Sequence, residues 1–432
     1  MTSATLAART PVTRDRYADL LRVGSLGVVI GGHWLMAVPE KDGTGITNVL
    51  AVVPVLQPLT WLLQVMPIFF LVGGFAHARA IASIERRGNR YTDFVRSRVS
   101  RLLRPAAVFL GVWVLIAIGA GLAGQDVGMV RLALRTVVQP LWFLGVYLGL
   151  VALAPLMVRL HRRWGVRVPL VLLGAAAVVD LLRLHDHPGP AVLNLFIVWA
   201  GVHQLGFLYA DSLLQRHGRA LAAIGLGSLL LLTTFGPYPV SMVGVPGQPL
   251  SNMSPPTVAL AAHAVWLTGL AMLLRGPATR WLARARVWRA VVAANGLAMT
   301  AFLWHLSAAF VLLALFRTGI GGSAGTTGWW LTRPIWLGAA ALLTLGLVAV
   351  FRRFDNPRPI RPSAPGERQV TAAIGAALCT LGVIGVSIVG LGGLMDGRTS
   401  TLVGLPVTAP LALAMIAVGA GLVSLRVVVR QR

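Results

Sequence analysis

The sequence predicts an all-α, polytopic integral membrane protein of about 10–12 transmembrane helices. Three observations predict it. Hydrophobic residues make up 56% of the 432-residue chain and charged residues only 12%, about half the charged share of a soluble domain. Apolar runs close to the roughly 20 residues that cross a bilayer recur along the chain. Arginine-rich connections alternate with poorer ones, the pattern that keeps positive charge on the cytoplasmic side. The net charge of +25 would suit nucleic acid, but its arginines fall in short connections between apolar runs. That excludes nucleic acid as the partner and points to anionic lipid. The single Cys379 excludes an internal disulfide framework and a multi-cysteine metal site.

Taken in order, residues 1–16 form a polar, Pro-containing tail on the cytoplasmic side. Arg14 and Arg16 precede the first span, about 17–38, which is too long and too interrupted for a signal peptide. Glu40, Lys41 and Asp42 follow in a loop without positive excess. The second span, about 59–78, leads into the most basic connection, with Arg79, Arg86, Arg87, Arg90, Arg96, Arg98, Arg101 and Arg104. The third span is about 105–124 and the fourth about 139–158, followed by Arg159, Arg162, Arg163 and Arg167. Spans at about 168–184, 191–210 and 219–236 come next, and then an uncharged, Pro- and Gly-rich outer loop to Pro256. The eighth span, about 257–274, ends in Arg275, Arg280, Arg284, Arg286 and Arg289. The ninth and tenth spans are about 293–316 and 329–351. Residues 352–369 form a Pro/Arg-rich cytoplasmic linker, and 370–432 hold two further spans and a basic tail that includes Arg426, Arg430 and Arg432. Both termini are expected in the cytoplasm of a cell-membrane protein.

The first span carries Arg22 and His33, and ionisable groups inside a spanning helix are costly enough to be functional by default. Eleven steps of about 100° return His33 to within roughly 20° of Arg22, and the rise per residue separates them by roughly 16 Å. A cation at the interface with an acid–base group deeper in suits a long, anionic, thioester-carrying ligand. Asp19 lies three residues before Arg22 and can pair with it on the same face. Asp180 is the acid set well inside a span, at the predicted depth of His33, where a carboxylate can orient an imidazole or pair with a cation. His203 and Gln204 in the sixth span and His305 in the ninth are candidates to line the same polar cavity. The histidines at 33, 203, 263 and 305 lie on separate helices without ligand spacing, so the sequence indicates no metal site.

Several stretches resemble the acyltransferase 3 family of integral-membrane acyltransferases. Asp19-Leu20-Leu21-Arg22, ten residues and His33 resemble that family's first-helix pattern, and Met66-Pro67-Ile68-Phe69-Phe70-Leu71-Val72-Gly73-Gly74-Phe75 its second-helix motif. Arg98-Val99-Ser100-Arg101-Leu102-Leu103-Arg104-Pro105 is similar to the basic start of the third helix, and Leu141-Trp142-Phe143-Leu144 to the fourth-helix signature. Phe302-Leu303-Trp304-His305 resembles the late motif ending in His. The resemblance implies a ten-helix membrane acyltransferase core at 17–351, outside which the last two spans lie. It implies acyl-CoA as donor substrate with no bound cofactor, and a hydroxyl of a carbohydrate, cell-envelope or metabolite molecule as acceptor.

In that reading His33 takes the acceptor proton, a task suited to an imidazole. Arg22, Arg98 and Arg101 bind donor phosphates through planar donor forks. Trp142 is an interfacial or packing aromatic, or a wall of the site. The alternative is a proton-coupled secondary transporter or flippase, which intramembrane Arg, Asp and His would also suit; the chain shows no clear repeat of halves, the usual transporter signature.

Overall fold

In the computed structural model, residues 5, 7, 10, 11, 14–39, 46–88, 91–123, 128–315, 323–355, 369–402 and 404–424 are described. Glu40, Lys41, Asp42, Arg90, the arginines at 358, 361 and 368, and those at 426, 430 and 432 lie outside them, as does most of the 352–369 linker. The described residues are mostly helical, with two short antiparallel hairpins among them. A helix stands at every predicted span: α1 (Arg16–Met36), α2 (Met66–Arg86), α3 (Tyr91–Ala123), α4 (Leu141–Trp164), α5 (Arg167–Leu184), α6 (Asn194–Ala210), α7 (Gly218–Thr234), α8 (Val258–Leu282), α9 (Ala285–Leu315), α10 (Thr327–Phe351), α11 (Gln369–Val389) and α12 (Ala409–Ser424). Among the described residues, 8 helical segments are long and apolar enough to cross a membrane, and the protein is a multi-pass membrane protein. The remaining four helices have physical reasons to fall short. Asp19, Arg22 and His33 dilute α1; Arg167, Asp180 and Arg183 dilute α5; α7 and α12 have only 17 and 16 residues.

Two boundaries differ from the sequence reading. The second span was expected from about 59, but α2 starts at Met66. Pro54–Leu63 is broken into a 3-10 stretch and a single helical turn, and Gln64 accepts from the Met66 amide at 3.2 Å. Pro67 then sits in the first turn of α2, where its missing N–H costs nothing. Conversely, Arg96, Arg98, Arg101 and Arg104 are not loop residues: α3 begins at Tyr91 and runs through them and through Pro105. A helix that leaves the hydrocarbon keeps its hydrogen bonds, and there Arg101 is exposed while Arg96 is buried.

The described residues divide into two compact units. One lies within 1–76, 160–305 and 316–342, the other within 77–159, 306–315 and 343–432. In the first, a core of Ala18, Ile68, Leu71, Val72, Leu208, Tyr209, Leu267, Ala271 and Met272 joins α1, α2, α6 and α8. Gly74 and Gly206 permit a close approach of α2 and α6 there: a Cβ on Gly74 would overlap His203 O, and one on Gly206 would overlap Leu71 O. At one end of this unit Arg16 reaches Leu282 O at 3.4 Å and lies 5.0 Å over Trp288, while Tyr209 donates to Asp15 at 2.7 Å. Hydrogen bonding to Asp19 holds the Arg14 guanidinium above its ordinary pKa at that end. At the other end, strand β1 (Ala37–Pro39) pairs with β2 (Ile46–Asn48), and Val38, Val49, Leu50, Val245 and Trp329 cover the end of α1. In the second unit α11 and α12 lie along each other, a Cβ on Gly375 coming within 2.7 Å of Gly419 O, and both pack on α3. Strands β3 (Thr399–Leu402) and β4 (Leu405–Thr408) form the hairpin between them.

Candidate active site

Helix α1 is one unbroken helix, opened by Asp15, whose side chain accepts from Ala18 N. Arg22 and His33 therefore keep the helical spacing expected of them. His33 is partly exposed, and its Nδ1 lies 2.8 Å from Nε2 of His305 on α9. The two rings stack with centroids 5.0 Å apart and planes 13° from parallel. His305 Nδ1 in turn lies 2.5 Å from the carbonyl oxygen of Phe302. A carbonyl can only accept, so His305 Nδ1 carries a proton; in the neutral ring Nε2 is then an acceptor. His33 must therefore donate from Nδ1, which leaves the lone pair on its Nε2 available to take a proton. Trp34 Nε1 donates to His305 O at 2.9 Å, and Trp336 Nε1 to Trp34 O at 2.9 Å, so α1, α9 and α10 are tied together next to the pair.

Arg22 is fixed by a residue that sequence reasoning passed over. Its Nε donates to Asn295 Oδ1 at 2.8 Å, and its Nη2 bonds the same oxygen. Asp19 Oδ1 lies 3.6 Å from Nη2, the same-face pair predicted, and Asp19 is itself 2.6 Å from Arg14 Nε. Asn295 Nδ2 is held by Val291 O at 3.0 Å. The available signal was an amide alone in an apolar run, a polar group that must be hydrogen-bonded wherever it lands in a membrane.

Asp180 is engaged elsewhere than at an imidazole. Its Oδ1 accepts from Asn194 at 3.0 Å; its Oδ2 accepts from Tyr238 at 3.0 Å and from Val258 N at 2.8 Å. Val258 opens α8, so the carboxylate caps the positive end of that helix and ties α5, α6 and the outer loop to it. Burial, with Asp180 beside it, raises the pKa of the Tyr238 hydroxyl and keeps it a donor. His203 and Gln204 are fully buried, His203 edge-on to Phe207 at 5.0 Å.

Arg98, Arg101 and Trp142 belong to the second unit. Arg101 is exposed, while Arg98 lies 6.0 Å over the Phe94 ring with a buried Nε that meets no hydrogen-bond acceptor among the described residues. Phe94 packs on His77 at 5.6 Å, and His77 on Tyr147 at 5.2 Å. His77 and Tyr147 were not singled out by sequence, although a histidine inside an apolar run was a visible signal. Trp142 is half-buried at the start of α4, 6.3 Å from Phe143.

The chain matches the acyltransferase 3 family, described as an acyltransferase domain, over residues 15–353. It belongs to that family. Among the curated proteins and the solved structures, none matches the chain. The protein is thus a membrane acyltransferase by family, and the match takes in α1 to α10 while leaving α11 and α12 outside. Of the stretches that resemble the family's motifs, Gly74 lies at the α2–α6 contact, Leu141–Leu144 at the opening of α4, and His305 against His33.

Proposed function

We propose that the protein transfers an acyl group from acyl-CoA to a hydroxyl of a carbohydrate, cell-envelope or metabolite acceptor at the cell membrane, with His33 as general base. The observation that carries this reading is the hydrogen-bond chain Phe302–His305–His33. Nε2 of His33 takes the hydroxyl proton as the oxygen attacks the thioester carbonyl. The tetrahedral intermediate then expels the coenzyme A thiolate, which recovers the proton from the imidazolium. Transfer is direct; the chain's one cysteine, Cys379, is buried in α11. Arg22 in the first unit and, taken by themselves, Arg98 and Arg101 in the second are the donor-phosphate ligands of this reading, and the unmatched Nε of Arg98 supports its own role.

Purified protein in nanodiscs is expected to release coenzyme A thiol from acyl-CoA when a hydroxyl acceptor is added. Comparison of envelope glycans and lipids with and without the gene is expected to show one missing acyl mass. Solute counterflow in vesicles without any thiol release would instead make the protein a transporter.

With both termini cytoplasmic, acyl-CoA arrives on the arginine-rich side. Reporter fusions after Arg90, Arg163 and Arg289 should read cytoplasmic and those near Asp42 and Gln248 external. Inverted labels at the first three positions would overturn the orientation and the donor side with it.

A further inference from the structure

The two helices outside the family match both pack on α3, and α11 also reaches the element that carries the fourth-helix signature. The apolar segment Gly128–Trp164 is interrupted: a short helix ends at Thr136, and α4 starts at Leu141, after Pro140. Turn bonds bridge the break, among them Trp142 N to Gln139 O at 3.2 Å, but these are weaker than a regular helical ladder. Ser387 on α11 adds a second partner to the same two groups. Its Oγ accepts from Trp142 N at 3.1 Å and donates to Gln139 O at 2.5 Å, so one hydroxyl from another helix caps the first turn of α4.

The attachment continues on both sides of the break. Leu391 N donates to Leu134 O at 2.9 Å, and Arg135 Nη2 lies 3.2 Å from Asp396. Gly145 packs so closely on α11 that a Cβ there would meet Thr380 O at 3.3 Å. At the far end, Arg96 is buried, and its Nε donates to Val423 O at 3.0 Å, among the last carbonyls of α12. A cation on the terminal carbonyls of a helix satisfies both its orphan acceptors and its dipole. Arg96 stands two residues before Arg98 on α3. From Trp142, the ring contacts run through Phe143 to Tyr147, then His77 and Phe94, over which Arg98 lies.

We propose that α11 and α12 form a brace that sets the donor-binding geometry of α3 and α4, with Ser387 and Arg96 as positioning residues. The inference rests on the reading of Arg98 and Arg101 as donor ligands. Neither Ser387 nor Arg96 touches the donor. Their removal loosens the elements that do, so donor affinity falls while the chemistry at His33 proceeds.

The test uses the full-length protein in nanodiscs, with desulfo-coenzyme A as binding probe and initial rates against acyl-CoA concentration. Ser387→Ala is expected to weaken probe binding and raise the donor KM together by about three- to tenfold, as the two bonds of one hydroxyl are lost while the turn's own bond remains. Its kcat should stay within about twofold of the native value. Ser387→Thr, which keeps the hydroxyl, should restore both. Should Ser387→Ala fail to accumulate, Arg96→Gln carries the same measurements with the same expectation. Native-like probe affinity and KM in a folded variant would overturn the brace, as would a fall in kcat alone. Native protein that does not bind the probe would refute the donor reading itself.

Discussion

His33→Ala is expected to lower acyl transfer by about two to four orders of magnitude, the range for a lost general acid–base group, while the protein accumulates and unfolds like the native one. The side chain is partly exposed, and its resolved partner is the His305 ring, so truncation removes one hydrogen bond and one stacking contact from the fold. In the proposed mechanism the proton acceptor, by contrast, is lost outright, and His305 acts through His33. With His305→Phe the ring stack remains but Nε2 is gone, so nothing at that position holds the His33 proton on Nδ1. Activity should fall by about ten- to a hundredfold, as for other outer partners that fix a tautomer. His305→Gln offers an amide oxygen to the same N–H and should recover part of the loss. The measurements are initial rates at saturating donor and a thermal unfolding curve for each variant. A folded His33→Ala protein with native rates would sink the mechanism, and a His305→Phe protein with native rates would sink the tautomer argument alone.

The fold was legible because a membrane leaves few solutions. Apolar length, interrupted by arginine, located all of α1 to α12. Boundaries erred where local chemistry outranked hydropathy, at the Pro- and Gln-broken start of α2 and at the basic start of α3. The site was legible where it rests on one helix. Periodicity alone relates Asp19, Arg22 and His33. It says nothing of partners 272 or 273 residues away, so neither the His33–His305 bond nor the Arg22–Asn295 bond could be read off. Asp180 shows the cost of arguing from depth. A carboxylate level with an imidazole is equally level with the start of a neighbouring helix, and the unpaired N–H groups there claimed it. Ser387 carried no sequence signal, because a lone hydroxyl in an apolar helix most often bonds back to its own backbone.

Arg22→Lys is expected to raise the donor KM by about ten- to a hundredfold, the worth of a lost charge-assisted pair, with a smaller effect on turnover at saturation. The structure sharpens the reason. Asn295 grips one edge of the guanidinium through Nε and Nη2, and Asp19 stands behind it, so the plane of the fork is set before any ligand arrives. The side chain is still about a third exposed, at 36%. Lysine keeps the charge but has neither the plane nor the second donor that Asn295 holds. It would bind phosphate as a point charge on a flexible stem. Asn295→Ala leaves Arg22 in place with its fork released, and should move KM in the same direction by less. The roughly 16 Å along α1 between Arg22 and His33 keeps the two effects separable, since a group that far from the thioester carbonyl cannot act on the bond being broken. His33→Ala should therefore show the reverse pattern, with turnover collapsed and donor affinity retained. Initial rates against acyl-CoA concentration for the three variants decide it. If Arg22→Lys and Asn295→Ala lower only saturated turnover, Arg22 orders the start of α1 through Asp19 and does not hold the donor.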